Sequence, residues 1–344
     1  MYIVKGGHHD YVIHEGVCTC MAGSFGRECK HVKEMREVYG MPETIGAKPK
    51  KVVKSFHDDL NQIFGDGFYN SDVIVSIHAK PATGKTLFAL HECAYAAKQG
   101  ENFLYIDTEG GFKSMSAKWW PILSKRFGLD AKSGKGFVEV RKSLQGLHNF
   151  LGYDTAVIWQ KEKLEFRIKQ SFEEPEIDKF VEKEKIGFIV VDSVSMPVAT
   201  AINEEQQNRP ARFTATALIL GKLAELQDKY GVCVLTINHS TWNPTNPYET
   251  FAQMRGGKIV QHFSKRIIYM DARKAGELSS FRRLWIARAE TLDKFEDLVF
   301  VSIDDDGMKP LDIKTGYQAG LLTDNEREHV VENPRWAFVK TKGR

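Results

Sequence analysis

The sequence predicts an α/β fold with a mostly parallel central sheet. Short, mostly apolar runs recur along the chain, at residues 73–77, 103–106, 187–191 and 232–237. Stretches with helical periodicity lie between them, the clearest at residues 86–98 and about 212–230. Strands that are apolar on both faces and alternate with amphipathic helices are typical of a parallel sheet that is covered by helices on both sides.

Composition excludes several classes of protein. The chain has 344 residues, 42% of them hydrophobic and 27% charged, which indicates a globular protein with a sizeable core. No apolar run approaches the roughly 20 residues of a membrane span, and the first residues lack the apolar stretch of a secretory signal. We therefore expect a protein that lies in the cytoplasm, where it could associate with the nucleoid, and that has no membrane partner. The formal net charge of +3 restricts any nucleic-acid surface to a local patch.

The chain divides into four predicted parts. Residues 1–45 form a small N-terminal module, and the basic stretch at residues 46–55 forms a linker. Residues 56–310 contain the alternating pattern and form the main domain, and residues 311–344 form a polar C-terminal extension. Alternating apolar and polar residues at about 155–170 predict a solvent-facing β-hairpin inserted into the main domain.

Cysteine and histidine cluster in the N-terminal module. Cys18, Cys20, Cys29 and His31 supply three thiolates and one imidazole within fourteen residues. This set matches tetrahedral zinc, and a module this small needs a metal to build a core. The alternative is a group of free or redox-active thiols. Cys93 and Cys233 lie in apolar segments and are predicted to be core thiols.

A phosphate-binding loop is predicted between an apolar strand and a helix. It comprises Ala79, Lys80, Pro81, Ala82, Thr83, Gly84, Lys85 and Thr86. In such a loop the backbone amides surround the phosphates, the lysine neutralises them, and the hydroxyl residue ligates Mg²⁺. The loop departs from the usual pattern because Ala79 replaces the first glycine and Pro81 lacks a backbone N–H.

Carboxylates follow two further predicted strands. Asp107 and Glu109 come after residues 103–106, and Asp192 follows residues 187–191. At the C-terminal edge of a parallel sheet, Asp192 suits a magnesium ligand and Glu109 suits the residue that activates water. The alternative for each carboxylate alone is a helix N-cap.

Together these segments resemble the ATPase core of the RecA/RadA recombinases. The resemblance rests on AKPATGKT, FLYIDTEGGF, IGFIVVDSVS, LQDKYGVCVLTINHS, MRGGKIVQHFSKRIIYM and RRLWIARAE, which follow the family order. It implies that Lys85 and Thr86 bind ATP and Mg²⁺, that Glu109 is the catalytic glutamate, and that Asp192 is the magnesium-binding aspartate. His239 occupies the position of the γ-phosphate sensor; the alternative is a surface histidine.

The resemblance also implies two DNA-binding loops. The first contains Arg209 and Arg212, and the second contains Trp242, Arg255 and Lys258. Cations and aromatic rings on loops suit single-stranded DNA, and double-stranded DNA is a second possible partner; the alternative is a flexible loop or a subunit contact. The N-terminal CxC and CxH pairs resemble a SWIM-type zinc finger.

The sequence thus predicts a DNA-dependent ATPase of homologous recombination or repair, which uses ATP, Mg²⁺ and Zn²⁺ and assembles with itself or with a recombinase. Two rival hypotheses stay open. One is an ATP-binding paralogue that acts as a non-catalytic mediator, and the other is a ring-forming motor with the same core fold.

Overall fold

The computed structural model of the chain describes residues 2–4, 11–14, 17–18, 51–64, 67–160, 163–170, 173–203, 205–241, 253–254, 257–272, 280–288, 297–322 and 335. The chain divides into two compact units, Met1–Lys50 and Lys51–Arg344. No helix among the described residues is both long and apolar enough to cross a membrane.

The first unit contains a small antiparallel sheet. Its strands are β1 (Tyr2–Val4), β2 (Tyr11–His14) and β3 (Val17–Cys18), paired in that order. Cys20, Cys29 and His31, and the side chain of Cys18, lie outside the described residues. The predicted zinc ligands are therefore not placed.

The second unit is built on a ten-stranded sheet. A short strand pair precedes it, β4 (Val52–Val53) with β5 (Tyr69–Asn70). The parallel strands of the sheet are β6 (Ile74–Ala79), β7 (Asn102–Asp107), β8 (Gly136–Val140), β11 (Ile186–Asp192), β12 (Cys233–Thr241) and β14 (Ser264–Ala272). Their spatial order is β14, β6, β12, β11, β7, β8. The predicted α/β fold with a mostly parallel sheet is confirmed.

Antiparallel strands extend the sheet beyond β14. They are β15 (Phe281–Arg288), β16 (Leu298–Asp304) and β17 (Gly307–Leu311), and a two-residue strand, β13 (Gln253–Met254), pairs with the end of β12. The predicted domain boundary at residue 310 falls inside β17, and Leu321 and Leu322 are buried against β16. The sheet domain therefore continues past that boundary.

Helices cover both faces of the sheet. They are α1 (Asp58–Ile63), α2 (Lys85–Lys98), α3 (Phe112–Phe127), α4 (Leu144–Phe150), α5 (Glu176–Lys183), α6 (Ser195–Ala201), α7 (Arg209–Tyr230), α8 (Gly257–Phe263) and α9 (Ile313–Gln318). Helices α2 and α3 pack over one core, and α4 to α8 pack over a second core on the other face. Alternate residues of β6 show why: Val75 and Ile77 enter the first core and Ile74 the second.

The sequence predicts a solvent-facing hairpin at about residues 155–170, whereas one face of the observed hairpin packs against the domain. It consists of β9 (Tyr153–Gln160) and β10 (Lys163–Gln170). Val157 and Phe166 pack against the second core. The buried ring of His148 holds the hairpin in place, with Nδ1 3.0 Å from Thr155 Oγ1 and Nε2 3.0 Å from the carbonyl oxygen of Ala215.

Candidate functional site

Four adjacent strands end at one edge of the sheet, and the candidate site lies there. In spatial order they are β6, β12, β11 and β7. The chain leaves β6 into the predicted phosphate loop, β12 ends beside His239, β11 ends at Asp192, and β7 leads to Glu109. The C-terminal ends of parallel strands share one edge, so four segments that are distant in sequence meet.

The phosphate loop connects β6 to the N-terminus of α2. Within it, Thr83 Oγ1 donates to the carbonyl oxygen of Lys80 at 2.7 Å. The ammonium group of Lys85 donates to the carbonyl oxygens of Ala79 and Lys80, at 3.2 and 3.1 Å. The carbonyl oxygens of Ala79 and Lys80 thus accept hydrogen bonds from side chains of the same loop. Helix α2 begins directly after Gly84, whose φ of +107° favours glycine.

Lys85 carries its charge into a largely buried position, with 7% of the residue exposed. Burial lowers the pKa of Lys85, while the negative charges of Asp192 and Glu109 oppose that shift. A partly desolvated ammonium group interacts more strongly with anions than an exposed one does. Lys85 is therefore suited to neutralise a phosphate group.

Asp192 is held by two hydroxyl groups. Thr86 Oγ1 donates to Asp192 Oδ2 at 2.7 Å, and Tyr105 Oη donates to the same oxygen at 2.6 Å. Burial raises the pKa of Asp192, and these two hydrogen bonds oppose the rise. Magnesium prefers hard oxygen ligands and usually takes one or two carboxylates beside the phosphates. The hydroxyl of Thr86 and the carboxylate of Asp192 fit that requirement.

Glu109 and His239 form a contact between the ends of β7 and β12. His239 Nε2 lies 2.7 Å from Glu109 Oε1. Burial opposes ionisation of Glu109, but hydrogen bonds from His239 and Ser193 outweigh it and hold the pKa of Glu109 below its usual value. The carboxylate is therefore ionised at neutral pH, as a group that orients or deprotonates water must be.

Asp107 shapes the turn that carries Glu109. Its Oδ1 accepts from the backbone N–H groups of Glu109 and Gly110, at 3.0 and 2.7 Å, and its Oδ2 accepts from Phe112 N at 3.0 Å. Helix α3 begins at Phe112. Asp107 thus satisfies three backbone N–H groups of the turn that leads into α3.

Two contributors to the site were missed by sequence reasoning. Tyr105 lies in the apolar strand β7, where a buried hydroxyl needs a partner; that requirement is a usable signal. Arg282 lies on β15 and donates from Nε to the carbonyl oxygen of Thr83 at 2.6 Å. Nothing local in the sequence marks that contact.

The predicted DNA-binding residues are only partly placed. Arg209 is exposed and Arg212 is half-buried, both in the first turn of α7. Trp242 and Arg255, and the side chain of Lys258, lie outside the described residues. Whether the two predicted sets lie together therefore stays a prediction.

Among the described side chains, no group of three or more histidine, cysteine, aspartate and glutamate residues is arranged to hold a metal ion. Cys93 and Cys233 are buried free thiols, as predicted.

Three known proteins are distantly similar in sequence. DNA repair and recombination protein RadB of Methanosphaera stadtmanae is 21% identical over 235 residues, which cover 67% of this chain and 85% of that protein. RadB of Methanobrevibacter smithii is 24% identical over 212 residues, covering 60% of this chain and 76% of that protein. RecA of Fusobacterium nucleatum is 24% identical over 245 residues, covering 69% of this chain and 54% of that protein.

The fold is also that of a solved structure, described as a crystal structure of the RadB recombinase. The TM-score is 0.53 at 16% identity, and the match covers 75% of this chain and 99% of that chain. At this identity the likeness concerns the fold alone.

Residues 53–245 match the protein family described as AAA domain. This segment is more than half of the chain and contains all the residues gathered at the sheet edge, namely Lys85, Thr86, Glu109, Asp192 and His239. The chain therefore belongs to the AAA domain family, as a P-loop NTPase with distant homology to RadB and RecA.

Proposed function

We propose that this protein is an ATPase that acts on DNA in homologous recombination or repair. The observation that carries the proposal is the convergence of a phosphate loop, a buried aspartate and an ionised glutamate at one sheet edge, with Thr86 Oγ1 2.7 Å from Asp192 Oδ2. The names of the distant relatives, which are recombination and repair proteins, support the DNA-directed part.

Each residue at the sheet edge has a proposed role in phosphoryl transfer. Lys85 leaves the carbonyls of Ala79 and Lys80 and neutralises the β- and γ-phosphates, while the loop amides bind phosphate oxygens. Thr86 and Asp192 would hold Mg²⁺, which when bound compensates the negative charge on the phosphate oxygens. Glu109 orients and deprotonates the attacking water.

His239 links the nucleotide site to the segment that follows β12. Its Nε2 engages Glu109 at 2.7 Å. A γ-phosphate beside Glu109 offers His239 a second partner, because a protonated or neutral imidazole N–H can donate to a phosphate oxygen. We propose that His239 senses the γ-phosphate in this way, and that Arg209 and Arg212, with Trp242, Arg255 and Lys258, contact DNA.

The test is ATP turnover with and without single-stranded DNA. We expect turnover that DNA stimulates, and we expect Lys85→Ala to abolish it because the phosphates lose their buried cation. Lys98→Ala is the matched control, since Lys98 ends the same helix away from the loop. Unchanged hydrolysis in Lys85→Ala would contradict the site assignment, and a lack of DNA stimulation would contradict the coupling.

A second candidate is an ATP-binding mediator that does not hydrolyse ATP. Three features of the loop favour it: Ala79 in place of a glycine, Pro81 without a backbone N–H, and Ala82 at a φ of +61°. Nucleotide binding without turnover, in the presence and absence of DNA, would select this candidate. Particle size and shape with ATP would separate a ring-forming motor from a filament or a recombinase-bound subunit.

For the N-terminal unit we propose a SWIM-type zinc finger at residues 1–45, on the ligand pattern Cys18, Cys20, Cys29 and His31 alone. Metal analysis of the purified protein tests it. We expect one equivalent of zinc, lost in Cys18→Ser with Cys29→Ser and retained in the matched control Cys93→Ser. A folded N-terminal unit without metal would refute the proposal.

A further inference from the structure

The phosphate loop receives a hydrogen bond from outside the four strands that form the site. Arg282, on the antiparallel strand β15, donates from Nε to the carbonyl oxygen of Thr83 at 2.6 Å, and its Nη1 donates to the carbonyl oxygen of Phe281 at 2.9 Å. The side chain is half-buried. A guanidinium group withdrawn from water is costly unless its donors are used, and here two of them bind backbone carbonyls.

The loop has a structural reason to need such a contact. Ala82, the residue before Thr83, has a φ of +61°, a left-handed conformation that costs a non-glycine residue about 1 to 2 kcal/mol. Strained conformations persist only where surrounding contacts hold them. Two such contacts follow directly after Ala82: Arg282 donates to the carbonyl oxygen of Thr83, and Thr83 Oγ1 donates to the carbonyl oxygen of Lys80.

The bond also determines where a loop amide points. In a trans peptide the C=O and the following N–H point in opposite directions. When Arg282 holds the carbonyl of Thr83, the N–H of Gly84 is turned away from Arg282. Phosphate binding in this kind of loop depends on the orientation of such N–H groups.

Lys85 cannot hold the loop carbonyls in place when a nucleotide is bound. Its ammonium group stabilises the carbonyls of Ala79 and Lys80 in the empty loop, but phosphate oxygens compete for the same donors. Arg282 approaches from β15, and its Nε has no phosphate ligand in the proposed mechanism. Its bond to Thr83 is therefore available in both the empty and the occupied loop.

We propose that Arg282 is a positioning residue for nucleotide binding, which holds the Thr83–Gly84 peptide in its phosphate-binding orientation through Nε. The inference rests on the proposed function. It predicts that nucleotide affinity depends on an N–H donor at the position of Nε rather than on the positive charge of the side chain.

Three substitutions separate the donor from the charge. Arg282→Gln places an amide N–H the same number of bonds from the backbone as Nε, without the charge. Arg282→Lys keeps the charge but moves the donor one bond further out, and Arg282→Met removes both. Lys265→Gln, an exposed cation on the neighbouring strand β14, is the matched control for loss of one charge.

Equilibrium binding of a fluorescent ATP analogue to the full chain is the measurement, with thermal unfolding as the check on folding. We expect Arg282→Met and Arg282→Lys to raise Kd about tenfold or more, because the hydrogen bond from Nε to the carbonyl of Thr83 is lost or misplaced. Arg282→Gln is expected to stay within about threefold of the unsubstituted protein, and Lys265→Gln to be unchanged. In the Arg282 variants the loss is expected in Kd more than in turnover at saturating ATP.

Two results would overturn the inference. One is unchanged affinity in Arg282→Met or, where that variant does not fold, in Arg282→Lys. The other is equal loss in Arg282→Gln and Arg282→Met, which would assign the effect to charge or packing. If the unsubstituted protein binds no nucleotide, the proposed function fails instead, so the two failures are distinguishable.

Discussion

Removing the hydroxyl of Tyr105 tests whether Asp192 depends on its hydrogen bonds. Tyr105→Phe keeps the ring in the first core, where Tyr105 is fully buried, and deletes only the donor that lies 2.6 Å from Asp192 Oδ2. Thr86 remains as the second donor to the same oxygen. The substitution therefore isolates one hydrogen bond to a buried carboxylate.

The expected magnitude follows from that bond. A hydrogen bond to a charged group contributes about 1.5 to 3 kcal/mol, and its loss leaves Asp192 less well solvated as an anion. The unfolding free energy at neutral pH should fall by about that amount. If the whole loss is expressed in magnesium binding, the Mg²⁺ concentration for half-maximal turnover rises about 10- to 100-fold.

The pH dependence has a definite sign. Burial raises the pKa of Asp192, and the bond from Tyr105 opposes that rise. Without the bond the pKa of Asp192 rises further, so the protonated form persists to higher pH. Because the folded pKa is raised, folding stability is lost as pH increases through that pKa, and the loss is larger in the variant. The acid limb of turnover should move to higher pH.

The assay is ATP turnover as a function of pH and Mg²⁺, together with urea unfolding at neutral and acid pH. Tyr95→Phe is the control, because Tyr95 lies on α2 and is only partly buried. An unchanged acid limb and an unchanged Mg²⁺ requirement in a folded Tyr105→Phe protein would refute the reasoning.

Three further predictions concern single residues elsewhere. Gly84→Ala places a side chain on a residue with a φ of +107°, and its Cβ would lie 2.9 Å from the methyl group of Met308. We expect the unfolding free energy to fall by about 1 kcal/mol or more and calorimetric titration to show weakened nucleotide binding. Normal nucleotide binding would contradict this. Lys222→Met removes the 2.6 Å partner of buried Asp178 but leaves Lys229 at 3.0 Å, so it should cost about 1.5 to 3 kcal/mol of unfolding free energy at neutral pH. Burial opposes ionisation of Asp178, but Lys222 and Lys229 hold its pKa below the usual value. The stabilisation from the ionised carboxylate is present above the unfolded pKa and lost as pH falls through the folded pKa. The difference in unfolding free energy between Lys222→Met and the unsubstituted protein should therefore shrink in acid, and a difference independent of pH would contradict this. Phe213 is 51% exposed on the first turns of α7, so Phe213→Ala should leave thermal stability unchanged. Stacking of this ring on bases predicts that the substitution weakens binding of single-stranded DNA by about 1 to 3 kcal/mol, measured by fluorescence anisotropy. Equal affinity of the two proteins would exclude base stacking at Phe213.

Local patterns in the sequence predict the centre of the sheet well. The runs that become β6, β7, β11 and β12 are mostly apolar because both of their faces are buried. Gly84, Lys85 and Thr86 come directly before a helix, which is the setting that phosphate binding needs. Each of these signals lies within a few consecutive residues, so each can be detected without knowledge of the fold.

The periphery is predicted less well because its packing depends on distant partners. Apolar and polar residues alternate along the inserted hairpin, which indicates that its two faces differ. That one face is covered depends on distant contacts: His148 contacts Thr155 in the hairpin and Ala215 in α7. The polar residues around the predicted boundary at residue 310 likewise give no sign of strand β17, whose Met308 N–H donates to His91 Nε2 at 2.8 Å.

By itself the sequence determined the α/β class, the phosphate loop and which residue types could bind Mg²⁺ and activate water. The tertiary structure alone decided which of these side chains are partners. Tyr105 is 87 positions from Asp192, and Arg282 is 199 positions from Thr83. A hydrogen bond requires heavy atoms about 3 Å apart, and for residues so distant along the chain only the order of the strands brings them that close.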